Sequence, residues 1–162
     1  EAAVWFAKAA KQGNADAQYQ LGSFYDKGVG LPQDFDQAVR WYKRAVDEHS
    51  YPPAVIALGR LYEADKGGDA SQAKTLYQRC AETGEPQCQA ELGRVYQQGI
   101  GGEKDLVQAY QWYALAAQGL PDGEARAGAV VARIEISNTL TEEQLADARA
   151  RVTNWVPVVR AQ

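Results

Sequence analysis

The chain has 162 residues, 46% hydrophobic and 23% charged, with a formal net charge of −4. That balance can bury a core and excludes wholesale disorder. Lys and Arg are scattered rather than clustered, which leaves no electrostatic footprint for nucleic acid, and no apolar run approaches the ~18 residues that would predict membrane insertion.

The chain opens in AAVWFAKAAKQG, which reads as the second helix of a truncated hairpin over residues 1–14. There is no signal-peptide pattern and no Met, so we expect a processed chain or an excised domain. WFAKAAKQG (5–13) returns as WYKRAVDEH (41–49), LYQRCAETG (76–84) and WYALAAQGL (112–120), at offsets of 36, 35 and 36. A second piece precedes three of these: LGSFYDKGVG (21–30), LGRLYEADKG (58–67) and LGRVYQQGIG (92–101). A fixed period of this length predicts stacked helical hairpins, here repeats over 15–50, 51–85 and 86–121 in one continuous solenoid.

In the first full repeat, Ala17, Leu21 and Tyr25 fall at i, i+4 and i+8, one apolar stripe of a helix over 15–27. Gly28 and Gly30 follow it, suited to the left-handed conformation that ends a helix. The GVG and GIGG runs lie at the wrong helix end for a phosphate loop and lack its Lys-Ser/Thr. The second helix starts at Asp34 or Asp105, acids that suit a helix N-terminus, carries Ala38, Trp41, Tyr42 and Ala45, and ends near His49 in this repeat. Pro52 and Pro53 open the next helix, where the first-turn amides have no intrahelical partner. Gly22, Gly59 and Gly93 sit inside first helices at a cost of ~1 kcal/mol each relative to Ala, so a neighbouring helix backbone is expected to come very close. The recurring aromatics Trp5, Trp41, Trp112, Tyr42, Tyr77 and Tyr113 are expected in the core. The middle repeat has a shortened connection, GDASQA, and Leu76 in place of Trp.

Residues 122–162 read as a degenerate repeat and C-terminal cap. Positions 122–137 keep a first-helix character through Ala125 and Ala129. Thr141 followed three residues later by Gln144 is a capping box, opening a final helix over about 142–155.

The pattern Ala17-x-x-x-Leu21-Gly22-x-x-Tyr25-x-x-Gly28-x-Gly30, then Asp34-x-x-x-Ala38-x-x-Trp41-Tyr42-x-x-Ala45, resembles the Sel-1-like repeat, a branch of the tetratricopeptide superfamily. It recurs from Cys88 to Ala116 with Cys in place of the first Ala. The resemblance implies an all-α, right-handed α-solenoid with a concave and a convex side, acting as an interaction scaffold.

Cys80 occupies the position of Ala9, Ala45 and Ala116 in the other repeats, and Cys88 that of Ala17, Ala54 and, by the same frame, Ala125. Both replace small residues where one repeat's second helix meets the next repeat's first, so their backbones should be close enough for a disulfide, which requires Cα atoms within ~7 Å. Two buried free thiols remain the alternative. Zinc would need ligands that the sole histidine, His49, cannot supply, and a thioredoxin-like centre would need two intervening residues, not seven. Cysteine-rich Sel-1-like proteins are similar, with Cys-x7-Cys bridging consecutive helices. A disulfide would place a soluble protein in an oxidising compartment, periplasmic or secreted.

His49 takes a helix-ending position and reads as a structural residue. No catalytic, cofactor-binding or metal-ligating set stands out. In related superhelices the first helices line the concave face. The positions flanking their core stripes are Asp16, Tyr19, Ser23 and Asp26, then Ile56, Arg60 and Glu63, then Gln87, Arg94 and Gln97. Arg60 and Arg94 are equivalent in the frame and are expected to stack as a cationic ladder suited to a carboxylate; the alternative is a solvated polar surface. The function expected is non-catalytic binding of a protein or peptide partner, in the bacterial envelope. The rival readings are a toxin-neutralising or secretion-associated binder, and a cell-wall or β-lactam-related hydrolase of the cysteine-rich type.

Overall fold

The computed structural model describes residues 2–158, with side chains from Trp5 onward. Glu1 and residues 159–162, the outer ends of the first and last predicted segments, lie outside the described residues. Among the described residues the structure is all α-helical, with no strand. The chain forms two compact units, Glu1–Ala73 and Lys74–Gln162, with the division inside α5.

The first unit holds α1 (Ala2–Lys11), α2 (Ala15–Lys27), α3 (Phe35–His49), α4 (Pro52–Glu63) and the start of α5 (Ala70–Ala81). Asn14 caps α2 by accepting the Ala17 amide at 2.8 Å. Gly28 closes α2 at φ 67°, in the left-handed region where the missing Cβ removes the steric cost. The loop then returns, its Asp34 amide donating to the Tyr25 carbonyl at 2.9 Å. Asp34 caps α3 through its carboxylate, which accepts the Gln37 amide at 3.0 Å. His49 is the last residue of α3, and Ser50 takes the left-handed cap position. Pro52 and Pro53 occupy the first turn of α4. The shortened connection to α5 ends at Asp69, whose carboxylate accepts the amides of Ser71 and Gln72 and the Ser71 hydroxyl, while its own amide donates to Gln72. These hydrogen bonds, that from the Ser71 hydroxyl first, hold the Asp69 carboxyl below its ordinary pKa.

The second unit holds the rest of α5, α6 (Pro86–Gln98), α7 (Leu106–Gly119), α8 (Glu124–Ser137) and α9 (Glu142–Thr153). It reuses the same devices: Gly99 closes α6 at φ 74°, the Asp105 amide donates to the Tyr96 carbonyl at 3.0 Å, and the Asp105 carboxylate caps α7 on the Gln108 amide at 2.9 Å. The capping box of α9 is complete, Thr141 Oγ1 accepting the Gln144 amide at 3.2 Å and Gln144 Oε1 accepting the Thr141 amide at 3.0 Å. Cys80, near the end of α5, and Cys88, in the first turn of α6, form a disulfide with Cα atoms 5.7 Å apart.

Small residues dominate the cores. Ala10, Ala17 and Leu21 are buried in the first unit with Phe6, Ala9, Tyr25 and Trp41 against them. In the second, Ala109, Tyr113, Ala116, Ala129, Ile136 and Ala148 form one cluster, closed by Leu145 and Val152 of α9.

Three expectations are corrected. Gly22 and Gly93 do not admit a backbone: a Cβ on Gly22 would lie 2.7 Å from the Tyr42 ring, and one on Gly93 would lie 3.0 Å from the Tyr113 ring. The glycine makes room for an aromatic side chain of the following helix. Ala125 is exposed, because α8 turns Ala129 and Ile136, two helical turns apart, toward the core instead. The recurring aromatics are not all core residues: Tyr42, Tyr77, Trp112 and Tyr113 are buried, but Trp41 is half-buried and Trp5 is 73% exposed. On α1 it is Phe6 that meets α2, its ring 5.6 Å from Phe24, and this leaves Trp5 outward.

Candidate functional site

In the first unit, the α2 positions gather around a tyrosine cluster. Tyr19 of α2 stands 5.8 Å from the Tyr42 ring and 5.9 Å from the Tyr51 ring. The outer hydroxyls are tied to acids on α2. Tyr51 donates to Asp16 at 3.2 Å and Tyr42 donates to Asp26 at 3.4 Å. Burial, with Asp26 second, raises the Tyr42 phenol pKa, and burial together with the Asp16 hydrogen bond raises that of Tyr51. Both phenols therefore stay protonated as donors.

Ser23 is buried, and its hydroxyl partly offsets the rise in the Tyr42 pKa. Asp16 is exposed, and Tyr19 and Asp26 are half-buried. On α4, Ile56 and Glu63 are half-buried and Arg60 is exposed. The frame did not single out Tyr51. The signal available was a tyrosine directly before Pro52-Pro53, in a N-cap position with no side-chain cap bond, which leaves its ring to pack sideways.

In the second unit, Gln87 is exposed and Arg94 half-buried on α6. The Arg94 guanidinium is paired with Glu91 at 2.9 Å. Gln97 accepts the Tyr113 hydroxyl at 2.9 Å, the counterpart of the Tyr42–Asp26 bond with a neutral acceptor. The framework is thus repeated while the flanking chemistry changes: Asp16, Tyr19, Ser23 and Asp26 of α2 correspond to Gln87, Ala90, Arg94 and Gln97 of α6.

His49 lies at the end of α3, 3.7 Å from the Glu48 carboxylate. Among the described residues there is no group of three His, Cys, Asp or Glu side chains placed to hold a metal ion, and no helix is long and apolar enough to cross a membrane.

Comparison with known proteins places this repeated framework. The structure resembles the crystal structure of a Sel1 repeat protein from Oxalobacter formigenes, with 30% identity, a TM-score of 0.58 and coverage of 94% of this chain and 97% of that one. It also resembles the crystal structure of c5321, a protective antigen present in uropathogenic Escherichia coli strains and displaying an SLR fold, at 26% identity and a TM-score of 0.56, covering 94% of this chain and 40% of the other. Among curated proteins, the chitin synthase regulator SKT5 of Malassezia restricta is 42% identical over 83 residues, 48% of this chain and 6% of the relative; the chain spans a small part of that protein's length. The Sel1 repeat family model matches residues 1–14, 15–50 and 86–119, just over half of the chain. The hairpins with their glycine–tyrosine seats and aspartate caps are Sel1 repeats, and the chain belongs to the Sel1 repeat family.

Proposed function

We propose that this chain is a non-catalytic scaffold that holds a protein or peptide partner on the faces of its first helices. One observation carries the reading: the α2–α3 and α6–α7 hairpins keep the same glycine–tyrosine seat, aspartate cap and tyrosine hydroxyl bond, while the side chains along their first helices differ. Tyr19, Ile56 and Ala90 occupy one equivalent position, and Asp26, Glu63 and Gln97 another, all of them half-buried. A constant frame with a varied face suits recognition, because each repeat then contributes its own contact to an extended partner. The acidic tyrosine cluster of α2 and the polar side chains of α4 and α6 would each read a different part of that partner. The Cys80–Cys88 disulfide supports an oxidising compartment, and we assign the protein to the bacterial envelope or the secreted fraction.

The test is site-specific photo-crosslinking in intact cells, with the photoreactive residue at Arg60, Gln87 or, as a control, the exposed Lys43 of α3. Positions 60 and 87 should capture the same protein and position 43 should not. Equal capture from all three positions, or none from 60 and 87, overturns the reading.

A further inference from the structure

The second unit carries a groove between α7 and α9 that none of the first-helix positions uses. Its larger part, about 510 Å³, is lined by Gln89, Leu115, Gln118, Gly119 and Trp155 among others, and its smaller part, about 290 Å³, by Tyr110, Arg133 and Arg149 among others. Gln118, Val152 and Thr153 line both parts, which makes them one continuous depression.

Two features of the groove bear on what it could hold. The first is an internal comparison. Gln18 in the first unit and Gln89 in the second are both buried, and each donates to a carbonyl of the preceding hairpin, Ala10 or Ala81, at 3.3 Å. Gln18 also donates to the Glu48 carboxylate at 2.7 Å. In the repeat frame the position of Glu48 is held by Gly119, where a Cβ would come 2.5 Å from Pro86 Cγ. No side chain can stand there, and the second amide hydrogen of Gln89, 2% exposed at the groove wall, has no acceptor among the described residues. A buried donor of this kind gains most from an arriving acceptor.

The second feature is the charge. On α8, Arg126 is paired with Asp122, and on α9, Arg151 is paired with Asp147. Arg133 and Arg149, from the same two helices, line the groove and have no carboxylate partner among the described residues. Guanidinium groups without a counter-charge favour carboxylates through charge-assisted hydrogen bonds.

We propose that this groove binds an acidic peptide segment of a partner protein. One carboxylate takes at Gln89 the place that Glu48 fills at Gln18, others face Arg133 and Arg149, and apolar side chains between them rest on Trp155 and Leu115. The site does not depend on the first-helix reading, and the crosslinking test above leaves it untouched.

The experiment titrates the intact, oxidised protein into a fluorescein-labelled peptide of alternating Glu and Leu, and into its twin with Gln for Glu, following anisotropy. The acidic peptide should bind at least about tenfold tighter than its twin. Arg133→Gln with Arg149→Gln should weaken binding about tenfold, whereas Arg126→Gln with Arg151→Gln, which removes the same charge from the same helices, should change it less than about twofold. Gln118→Ala, at an exposed groove position, provides a second variant that leaves the core intact. Equal binding of the two peptides, no measurable binding of either, equal loss in both arginine pairs, or full displacement of the peptide by millimolar inorganic phosphate would overturn the proposal, the last by showing a site for small anions only.

Discussion

Tyr42 lays its ring over the backbone of Gly22, and a Cβ at that glycine would stand 2.7 Å from ring atoms Cδ1 and Cε1. The ring is fully buried, and its hydroxyl is anchored to Asp26. Gly93 and Tyr113 repeat the arrangement with slightly more room, at 3.0 Å.

Substitution at these glycines should therefore run against helix propensity. Ala in an exposed helix interior gains about 1 kcal/mol over Gly, but overpacking a buried contact costs about 1–3 kcal/mol. We expect Gly22→Ala to destabilise the protein by up to about 2 kcal/mol and Gly93→Ala by less, measured by urea unfolding. The cost of Gly22→Ala should shrink in a Tyr42→Leu background, since the clash is with the ring. A gain in stability from Gly22→Ala would contradict the seat.

The disulfide ties α5 to α6 across a short loop. On the chain-entropy account, closing about nine residues is worth about 2.6 kcal/mol, so reduction should lower the urea midpoint by a matching amount and raise the mass by about 2 Da. Replacing Cys80 and Cys88 together by Ala should reproduce the reduced stability without loss of helix content. The equivalent positions Ala45, Ala116, Ala17 and Ala54 are buried alanines. An unfolding curve insensitive to reductant would exclude a stabilising bridge.

Alkaline pH should unfold the protein through its tyrosines. Burial raises the pKa values of Tyr42, Tyr62, Tyr96 and Tyr113 above their ordinary value, with Asp26 adding to the effect at Tyr42. Unfolded phenols ionise near pH 10 while the native ones keep their protons, so the native state's advantage is complete below about pH 10 and is lost as pH rises beyond it. Each such tyrosine contributes a slope of up to about 1.4 kcal/mol per pH unit. Tyr42→Phe should flatten the fall between pH 10 and 11 while costing about 1 kcal/mol at neutral pH through the lost hydroxyl bonds.

The helix caps should rank by their observed bonds. Asp34→Ala and Asp105→Ala each remove a carboxylate that accepts a backbone amide, and Thr141→Ala breaks the capping box of α9; each should cost about 1 kcal/mol. Glu85 occupies the same position before α6 but makes no side-chain cap bond, so Glu85→Ala should be close to neutral. Urea midpoints of the four variants test the order, and an Asp34→Ala variant as stable as Glu85→Ala would refute it.

What could be read before any coordinates were the local features. Helix ends follow from Gly28, Asp34, Pro52 and the Thr141–Gln144 pair because capping involves groups within four residues of one another. The apolar stripe through Ala17 and Leu21 follows from helical periodicity alone. Even the disulfide was legible, because two cysteines replaced alanines at positions the period brings together.

The tertiary structure decided what stands opposite each position. Periodicity states that Gly22 needs space, but not whether a backbone or the ring of Tyr42 fills it. It places Ala125 and Ala129 on one stripe, yet only the packed angle of α8 turns one outward and the other inward. Likewise, Gln18 and Gln89 hold the same position in the repeat frame. The sequence shows Glu48 replaced by Gly119 in that frame, but that Pro86 crowds Gly119 and that Gln89 faces a groove there are contacts between helices that no spacing along one helix encodes.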